Sequence, residues 1–340
     1  MEGVVDLFRS RNLKIFGPDK KASVLEGSKA FAKDFMKKHG IKTAAYEKFT
    51  DPSEALKYLD NCEFPLVVKA DGLAAGKGVL ICPDRESAER AVREIMIDRC
   101  FGDAGKEVVL EEFLEGKEAS VLSVFDGNVI IPFLSAKDHK KIGEGETGLN
   151  TGGMGVVSPN PWFTPEVSAA FERDIMAPTM RGLKAEGLLF AGVIFFGLMI
   201  TEKGVYLLEY NIRFGDPEAQ AVFPLMQTDL LTLLEKAVDG KASSVPMKWI
   251  GGASCSVVIA SGGYPVSYKK GYEISGLDKV ENQCYMAGAV LKDGKAVTSG
   301  GRVLNITAVG ADMKEAREKV YADVKKIGFT GCVYRTDIGL

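Results

Sequence analysis

Apolar and polar positions alternate along the chain with two periods, one typical of helices and one typical of strands. Helical spacing of apolar residues predicts helices near 4–8, 22–40, 87–98, 165–186, 229–239 and 311–327. Short apolar runs predict strands at 13–16, 64–69, 79–82, 108–114, 120–125, 129–133, 190–200, 205–208, 256–260, 285–291 and 303–308. This order predicts a mixed α+β and α/β fold, with a compact α+β domain at the end of the chain.

One predicted strand continues into a polar sequence, GVYLLEYNIRFGDPE at 204–218. Because side chains alternate along a strand, we expect Glu209, Asn211 and Arg213 on one face. Carboxylate and amide oxygens suit Mg²⁺, which completes its shell with water and phosphate. A guanidinium can bind a carboxylate or phosphate through two parallel N–H hydrogen bonds. The alternative is an edge strand with a solvated face, and strand 190–200 is the expected neighbour.

A glycine-rich loop, KADGLAAGKGV at 69–79, separates two predicted strands. Its backbone N–H groups could close over phosphates, while Lys69 and Lys77 neutralise the phosphate charge. It is not a Walker A loop, because no Ser or Thr follows Gly76-Lys77 and a strand comes next instead of a helix. The alternative is a plain hairpin.

Two further segments indicate ligands. The strand end Glu111 to Leu114, followed by Glu118, could hold a purine and its ribose, although an acidic loop would look the same. The segment 147–155, TGLNTGGMG, is predicted to be irregular because of its glycine content, and its proximity to Asp138-His139-Lys140 favours a ligand-binding loop.

Composition narrows the class of protein. Apolar residues make up 46% of the 340 residues, charged residues 26%, and the net charge is −3. With no basic stripe or long apolar run, we expect neither a nucleic-acid partner nor a membrane. Six scattered cysteines predict free thiols in a reducing compartment, which favours the cytoplasm. Because the chain has only two histidines, few residues are available to form a zinc site or a Ser-His-Asp triad.

The motifs, taken together and in order, resemble the phosphoribosylamine–glycine ligase family of the ATP-grasp superfamily. They are LEGSKAFAKDFMKKHGI, VVKADGLAAGKGV, EEFLEGKEAS, the Asp-His-Lys segment, NTGGMG, EYNIRFGDPE, ASGGYP, GGRVL and YRTDIG. Another ATP-grasp ligase, such as a carboxylase, fails to explain NTGGMG and RFGDPE together. The resemblance implies two α+β lobes that hold ATP between them.

The resemblance also implies the chemistry and its residues. ATP would phosphorylate glycine, and the amine of 5-phosphoribosylamine would displace phosphate, in purine biosynthesis. Mg²⁺ or Mn²⁺ would bind Glu209 and Asn211, and the catalytic residues would be Arg213 and Lys77. The implied ATP-binding residues are Lys29, Lys69, Lys77, Glu111, Phe113, Leu114 and Glu118. The implied substrate-binding residues are Asp138, Lys140, Asn150, Thr151, Gly152, Gly153, Met154, Arg213 and Asp216.

The domain organisation follows from the same resemblance. Residues 1–21 would be a remnant of an N-terminal α/β domain, 22–41 and 113–245 the central ATP-grasp domain, 42–112 its lid, and 246–340 the C-terminal domain. Small molecules are the expected partners, and the chain is expected to be a monomer. The alternative to an active ligase is a shortened chain that binds ATP and Mg²⁺ without turnover.

Overall fold

The computed structural model describes residues 2–72, 74 and 78–340. Among these residues, no helix is long and apolar enough to cross a membrane. The α-helices are α1 (Val4–Ser10), α2 (Val24–Gly27), α3 (Lys29–Lys38), α4 (Pro52–Tyr58), α5 (Arg85–Val92), α6 (Pro165–Phe171), α7 (Ala177–Glu186), α8 (Glu218–Val222), α9 (Leu230–Val238) and α10 (Met313–Val324). Wider π-type turns at Arg93–Ile97 and Glu172–Met176 follow α5 and α6.

The strands contribute to several antiparallel sheets. They are β1 (Tyr46–Phe49), β2 (Leu66–Ala70), β3 (Val79–Cys82), β4 (Val108–Glu112), β5 (Lys117–Phe125), β6 (Ile130–Asp138), β7 (Lys141–Gly143), β8 (Thr147–Asn150), β9 (Gly155–Ser158), β10 (Gly192–Thr201), β11 (Gly204–Asn211), β12 (Ala253–Ser261), β13 (Gln283–Met286), β14 (Ala289–Lys292), β15 (Lys295–Thr298), β16 (Arg302–Gly310) and β17 (Cys332–Val333).

The described residues form two compact units. The first comprises Met1–Pro132, Trp162–Arg213 and Leu230–Val245. In this unit, β10 pairs antiparallel with β5 on one side and with β11 on the other. Buried apolar residues of these strands pack with those of α3, α7 and the turn before α7, including Phe35, Ile175, Leu183 and Phe196. The sheet that carries the GVYLLEYN sequence therefore rests on a substantial core.

A smaller sheet in the first unit has the strand order β1-β4-β2-β3, and its neighbouring strands are antiparallel. Residues of α4 and α5, among them Ala55, Ala88 and Val92, pack on its buried positions Val68 and Leu110. A capping box at Asp84 starts α5. In the sequence, β2 and β3 of this sheet flank the glycine-rich segment.

The second unit comprises Phe133–Pro161, Phe214–Asp229 and Pro246–Leu340. Its sheet has the order β9-β12-β16-β13, and β17 pairs with β12. Helix α10 packs Ala316 and Val320 against Val257 and Ile306 of this sheet. The strands β7 and β8 form a separate hairpin.

Most predicted elements are present, with corrections at four places. The predicted helix 22–40 is two helices, α2 and α3, because Ser28 between them has an extended backbone. The predicted strand 13–16 is wrong: Leu13 is 52% exposed, so the run does not fill a core, and the nearest bridge joins Gly17 to Ala191. The predicted strand 285–291 is two strands, β13 and β14. The segment 147–155 is not wholly irregular, because its first residues form β8. There, Gly148 has φ +79°, a conformation that favours glycine. The predicted domain boundaries stay a prediction.

Candidate functional site

The start of α3 lies against the entry of the glycine-rich loop. Lys29, the first residue of α3, donates from Nζ to the carbonyl oxygens of Ala70 and Gly72 at 2.9 and 3.0 Å. Burial lowers the pKa of Lys29, while the charge of Glu209 acts in the opposite direction. A cation at the loop and the carboxylate of β11 are thus within electrostatic reach of one another.

Lys69 lies at the other side of the loop entry, near the end of β2. Its Nζ is 2.8 Å from Oε1 of Glu111 on the neighbouring strand β4. Glu111 is 2% exposed, and its Oε2 is 2.9 Å from Nζ of Lys33 on α3. Burial raises the pKa of the Glu111 carboxyl, but Lys69 and Lys33 reverse this effect and leave the pKa below its usual value. The carboxylate therefore stays ionised between two ammonium groups.

An irregularity in β11 decides where the predicted metal ligands point. In the pairing with β10, Gly197 lies opposite Glu209, whereas the next residue, Leu198, lies opposite Leu207. Leu208 is therefore an extra residue on β11, which is the definition of a β-bulge.

The bulge changes which alternate residues of β11 face the core. Val205 and Leu207 are 1% and 0% exposed before it, and Tyr210 is 3% exposed after it. Because the extra residue reverses the alternation, Glu209 and Asn211 lie opposite the core face and are half-buried. In a regular strand they would share the face of Val205 and enter the apolar core.

Arg213 follows the end of β11 and is held by a residue that the sequence pattern did not single out. Its Nε donates to Oε1 of Glu26 at 3.0 Å, and Oε2 of Glu26 accepts from the N–H of Ile212 at 2.9 Å. Nη2 of Arg213 donates to Oδ1 of Asn211 at 3.3 Å. The Arg213 side chain is 59% exposed, so the guanidinium is oriented yet accessible.

The donors on β11 fit a magnesium ion. Nδ2 of Asn211 is 3.4 Å from Oε1 of Glu209, so one carboxylate and one amide lie side by side. Magnesium commonly uses one or two protein ligands together with phosphate and water. Across residues 2–72, 74 and 78–340, no group of three or more His, Cys, Asp or Glu side chains could hold a metal. A cation here would therefore depend on substrate oxygens as well.

The residues expected near adenosine follow Glu111 directly. Phe113 is half-buried and Leu114 is 9% exposed, in the connection from β4 to β5, and Glu118 is exposed on β5. A Cβ on Gly116 would lie 2.2 Å from the carbonyl oxygen of Ile200, so this connection passes tightly over β10. Lys77, predicted to contact phosphate, lies outside the described residues.

In the second unit, the sequence NTGGMG forms a loop stabilised by its own hydrogen bonds. The N–H and Oγ1 of Thr151 both donate to the carbonyl oxygen of Lys140 at 2.8 Å. Thr151 Oγ1 also accepts from the N–H of Gly153 at 3.0 Å. Asn150 is exposed at the end of β8, while Met154 is 1% exposed and faces the interior.

Gly153 brings two other predicted substrate segments together. A Cβ on this residue would lie 2.6 Å from Oδ1 of Asp138 and 2.6 Å from Cδ of Pro217, the neighbour of Asp216. Its φ of +109° is also unfavourable for other residues. The Asp-His-Lys segment, the NTGGMG loop and the turn that contains Asp216 and Pro217 thus meet at one glycine.

Arg302 and Tyr264 fasten this loop to the rest of the second unit. Nη1 of Arg302 donates to the carbonyl oxygens of Gly152 and Asp216, the latter at 2.9 Å. The hydroxyl of Tyr264 accepts from the N–H of Gly152 at 2.9 Å. The motifs GGRVL and ASGGYP, which carry Arg302 and Tyr264, therefore hold the NTGGMG loop although they are distant from it in the sequence.

The β7–β8 hairpin, which leads into the loop, is fastened by Arg335. This side chain is 2% exposed and donates to the carbonyl oxygen of Lys141 at 2.9 Å and to Glu146 at 2.8 Å. Asp337 completes the arrangement: it accepts two hydrogen bonds from Arg335 at 2.7 Å and one from the N–H of Gly145 at 2.8 Å. The closing motif YRTDIG thus has a structural function at the hairpin.

His139 is a buried structural residue between β6 and β7, and its carbonyl oxygen accepts from the N–H of Met154 at 2.8 Å. It is 2% exposed, and its Nδ1 is 3.1 Å from the carbonyl oxygen of Gly155. Because a carbonyl oxygen only accepts, Nδ1 carries the proton. Burial, reinforced by the nearby charge of Lys137, lowers the pKa of His139 to about 4.

This pKa predicts a loss of stability in mild acid. The folded pKa of His139 lies below the ordinary 6.5, so the unfolded state takes up the proton first as the pH falls. The stability is fully present above pH 6.5 and is lost as the pH falls towards 4, by up to about 3 kcal/mol. We expect His139→Asn to flatten this slope in urea unfolding followed through Trp249 in a Trp162→Phe background.

His39 in the first unit supplies the matched control for this measurement. His39→Asn should leave the pH dependence of the Trp249 transition unchanged. An equal slope for the original chain and His139→Asn would contradict the prediction.

The predicted residues are thus gathered in two sets, one within each unit. The first unit brings together Lys29, Lys69 and Glu111, with Glu209 in electrostatic reach of Lys29. Asn211 ends the strand of Glu209, and Arg213 follows that strand. The second unit brings together the Asp138, NTGGMG and Asp216 segments. The pattern missed two supporting residues, Glu26 and Lys33. It noted Arg302 and Arg335 within motifs but not their partners, which are distant in the sequence.

Comparisons with known proteins give the family of this chain. The model for the ATP-grasp (A) domain of phosphoribosylglycinamide synthetase matches residues 27–219, and the model for its C domain matches residues 254–340. The phosphoribosylamine–glycine ligase of Clostridium acetobutylicum is 52% identical over 339 residues, covering 100% of this chain and 82% of the relative.

Solved structures give the same result. The phosphoribosylamine–glycine ligase of Thermotoga maritima has a TM-score of 0.89 and 37% identity, covering 95% of this chain and 81% of its own. The biotin carboxylase domain of Hydrogenobacter thermophilus 2-oxoglutarate carboxylase has a TM-score of 0.73 at 17% identity, covering 96% and 72%, which shows a shared fold alone. The fold and the site define an ATP-grasp ligase, as the sequence predicted. Within that class, the chain belongs to the phosphoribosylglycinamide synthetase family.

Proposed function

We propose that this chain joins glycine to 5-phosphoribosylamine in purine biosynthesis, giving glycinamide ribonucleotide, ADP and phosphate. The observation that carries the proposal is the convergence of Lys29 and Lys69 at the loop entry, with Glu209 in electrostatic reach, in a chain of this family. The 52% identical relative from Clostridium acetobutylicum has the corresponding name. The partners are small molecules, and we propose a cytoplasmic monomer.

In the first step, a carboxylate oxygen of glycine attacks the γ-phosphorus of ATP. The bond between that phosphorus and the bridging oxygen breaks, ADP leaves, and glycyl phosphate forms. Such a transfer depends on positioning and on stabilising charge. Lys69 would contact phosphate oxygens, and Lys29 would add positive charge while it holds the loop entry. Lys77, outside the described residues, keeps its predicted role at the phosphates.

A divalent metal would bind at Glu209 and Asn211. We propose Mg²⁺, with Mn²⁺ as a substitute of similar ligand preference. When bound, the metal supplies neutralisation of the phosphate charge. Glu209 and Asn211 hold their donors on the exposed side of β11 because of the bulge at Leu208.

In the second step, the amine nitrogen of 5-phosphoribosylamine attacks the carbonyl carbon of glycyl phosphate. The bond from that carbon to the phosphate oxygen breaks, phosphate leaves, and the nitrogen loses a proton. Arg213, oriented by Glu26, would stabilise the negative oxygens of the acyl phosphate. Holding both reactants close contributes most of the remaining rate increase.

The other predicted residues would bind the substrates. Main-chain and side-chain groups at Glu111, Phe113, Leu114 and Glu118 would hold adenosine. The loop segments of the second unit would bind glycine and the ribose phosphate, through Asp138, Lys140, Asn150, Thr151, Gly152, Gly153, Met154 and Asp216.

The experiment that tests the function is ADP release by the purified chain with ATP, Mg²⁺ and glycine. It is performed with and without freshly generated 5-phosphoribosylamine, and glycinamide ribonucleotide is identified by mass spectrometry. Release that requires both substrates supports the ligase. ATP binding without release would make the chain a nucleotide-binding protein and would overturn the proposal.

A change at Arg302 should weaken the binding of glycine more than the binding of ATP. Arg302→Met removes a donor shared by the carbonyl oxygens of Gly152 and Asp216, which loosens the substrate loop. We expect the KM for glycine to rise about tenfold, the effect of roughly 1.4 kcal/mol, with the KM for ATP unchanged. Arg302→Lys should recover part of the loss, and an equal rise in both KM values would contradict the prediction.

A further inference from the structure

The buried ammonium of Lys33 has no role in the mechanism proposed above. Lys33 is 2% exposed, and lysine is almost never buried unless it is paired. Its Nζ is 2.9 Å from Oε2 of Glu111 and donates to Oγ1 of Thr43 at 2.7 Å. A fully buried lysine 2.9 Å from a predicted nucleotide-site carboxylate calls for an explanation.

The two oxygens of Glu111 face different cations. Oε1 lies 2.8 Å from Lys69, and Oε2 lies 2.9 Å from Lys33. Two ammonium groups and one carboxylate carry a combined charge of one positive unit. Glu111 alone with Lys69 would form a neutral pair, and such a pair attracts a phosphate poorly.

Lys33 also reaches the strand that carries the metal ligands. Oγ1 of Thr43 accepts from Lys33 and donates to the carbonyl oxygen of Leu207 at 2.6 Å. Leu207 directly precedes the bulge at Leu208. A continuous series of polar contacts therefore joins Lys69 to β11 through Glu111, Lys33 and Thr43.

We propose that Lys33 is a positioning residue for ATP: by sharing Glu111, it leaves the charge of Lys69 available to the phosphates of the nucleotide. The inference rests on the proposed function, because it assumes that Lys69 contacts ATP. Burial lowers the pKa of Lys33 to about 8, which leaves its ammonium charged at neutral pH. The low pKa of Glu111 likewise keeps the carboxylate ionised.

The test compares ATP affinity in three variants by calorimetry with Mg²⁺ and without glycine. In Lys33→Met, Glu111 pairs with Lys69 alone, and we expect the Kd for ATP to rise about tenfold. Lys33→Gln removes the same charge but keeps a polar side chain next to Thr43, and it should raise the Kd for ATP by a similar factor. Adenosine has no phosphate, so both neutral variants should bind it within about threefold of the original chain. Lys37→Met is the matched control, since Lys37 lies on the same helix and over the same Tyr46 ring, at 5.6 Å compared with 5.9 Å for Lys33.

Each outcome decides between a charge-sharing role and a structural one. A weaker affinity for ATP with an unchanged affinity for adenosine, in either neutral variant that folds, supports the proposal. An equal loss for ATP and adenosine, or a neutral variant that binds ATP like the original chain, overturns it. Absence of ATP binding by the original chain would instead overturn the proposed function, so the two failures are distinguishable.

Discussion

Glu209→Gln should lower the turnover number by roughly a thousandfold, the upper range for losing one electrostatic contact to the reacting groups. The substitution keeps the size of the side chain but replaces the carboxylate that would hold Mg²⁺ with a neutral amide. The measurement is ADP release over a range of Mg²⁺ concentrations with both substrates saturating.

Glu202 provides the matched control for this prediction. It lies exposed in the turn between β10 and β11, and Glu202→Gln changes the net charge by the same amount. We expect it to leave turnover unchanged. If Glu209→Gln keeps full activity at saturating Mg²⁺, the metal is held elsewhere and Glu209 is removed from its site.

Arg213→Met should lower the turnover number by roughly a hundredfold or more, because it removes a charged donor from the acyl phosphate step. Glu26→Gln should also lower the turnover number, but by a smaller factor. The guanidinium would remain and would lose only its 3.0 Å contact to the carboxylate. Single-turnover and steady-state ADP release would separate the chemical step from product release.

Arg173 is the control for Arg213, because it is another exposed arginine of the first unit paired with a carboxylate. Its Nε and Nη2 donate to Asp174 at 2.7 Å. Arg173→Met should leave activity unchanged. A rise in the KM for glycine at constant turnover would give Arg213 a role in substrate binding and none in catalysis.

The surroundings of Lys69 and Glu111 could be predicted from the sequence only in part. Their residue types, next to a glycine loop and at a strand end, were enough to predict both near a nucleotide. The pattern did not predict that β2 and β4 are neighbours, which brings Glu111 within 2.8 Å of Lys69. It also did not single out Lys33 among the lysines of α3, because burial depends on what packs over the helix.

The supporting arginines show the same limit. GGRVL and YRTDIG were noticed as motifs, yet no local signal indicated their partners. Arg335 and the carbonyl oxygen of Lys141 are 194 residues apart in the sequence. Apolar periodicity indicates which face of a helix or strand is buried. It gives no information on which distant segment packs against that face.

The sequence by itself predicted most of the helices and strands, proposed Glu209, Asn211 and Arg213 as ligands, and supplied the motifs that indicate an ATP-grasp ligase. Local spacing and residue type suffice for these features. The tertiary structure alone decided that Glu209 and Asn211 point away from the core. Strict alternation from Val205 would have buried both side chains, and the extra residue at Leu208 reverses the face because β10 pairs around it.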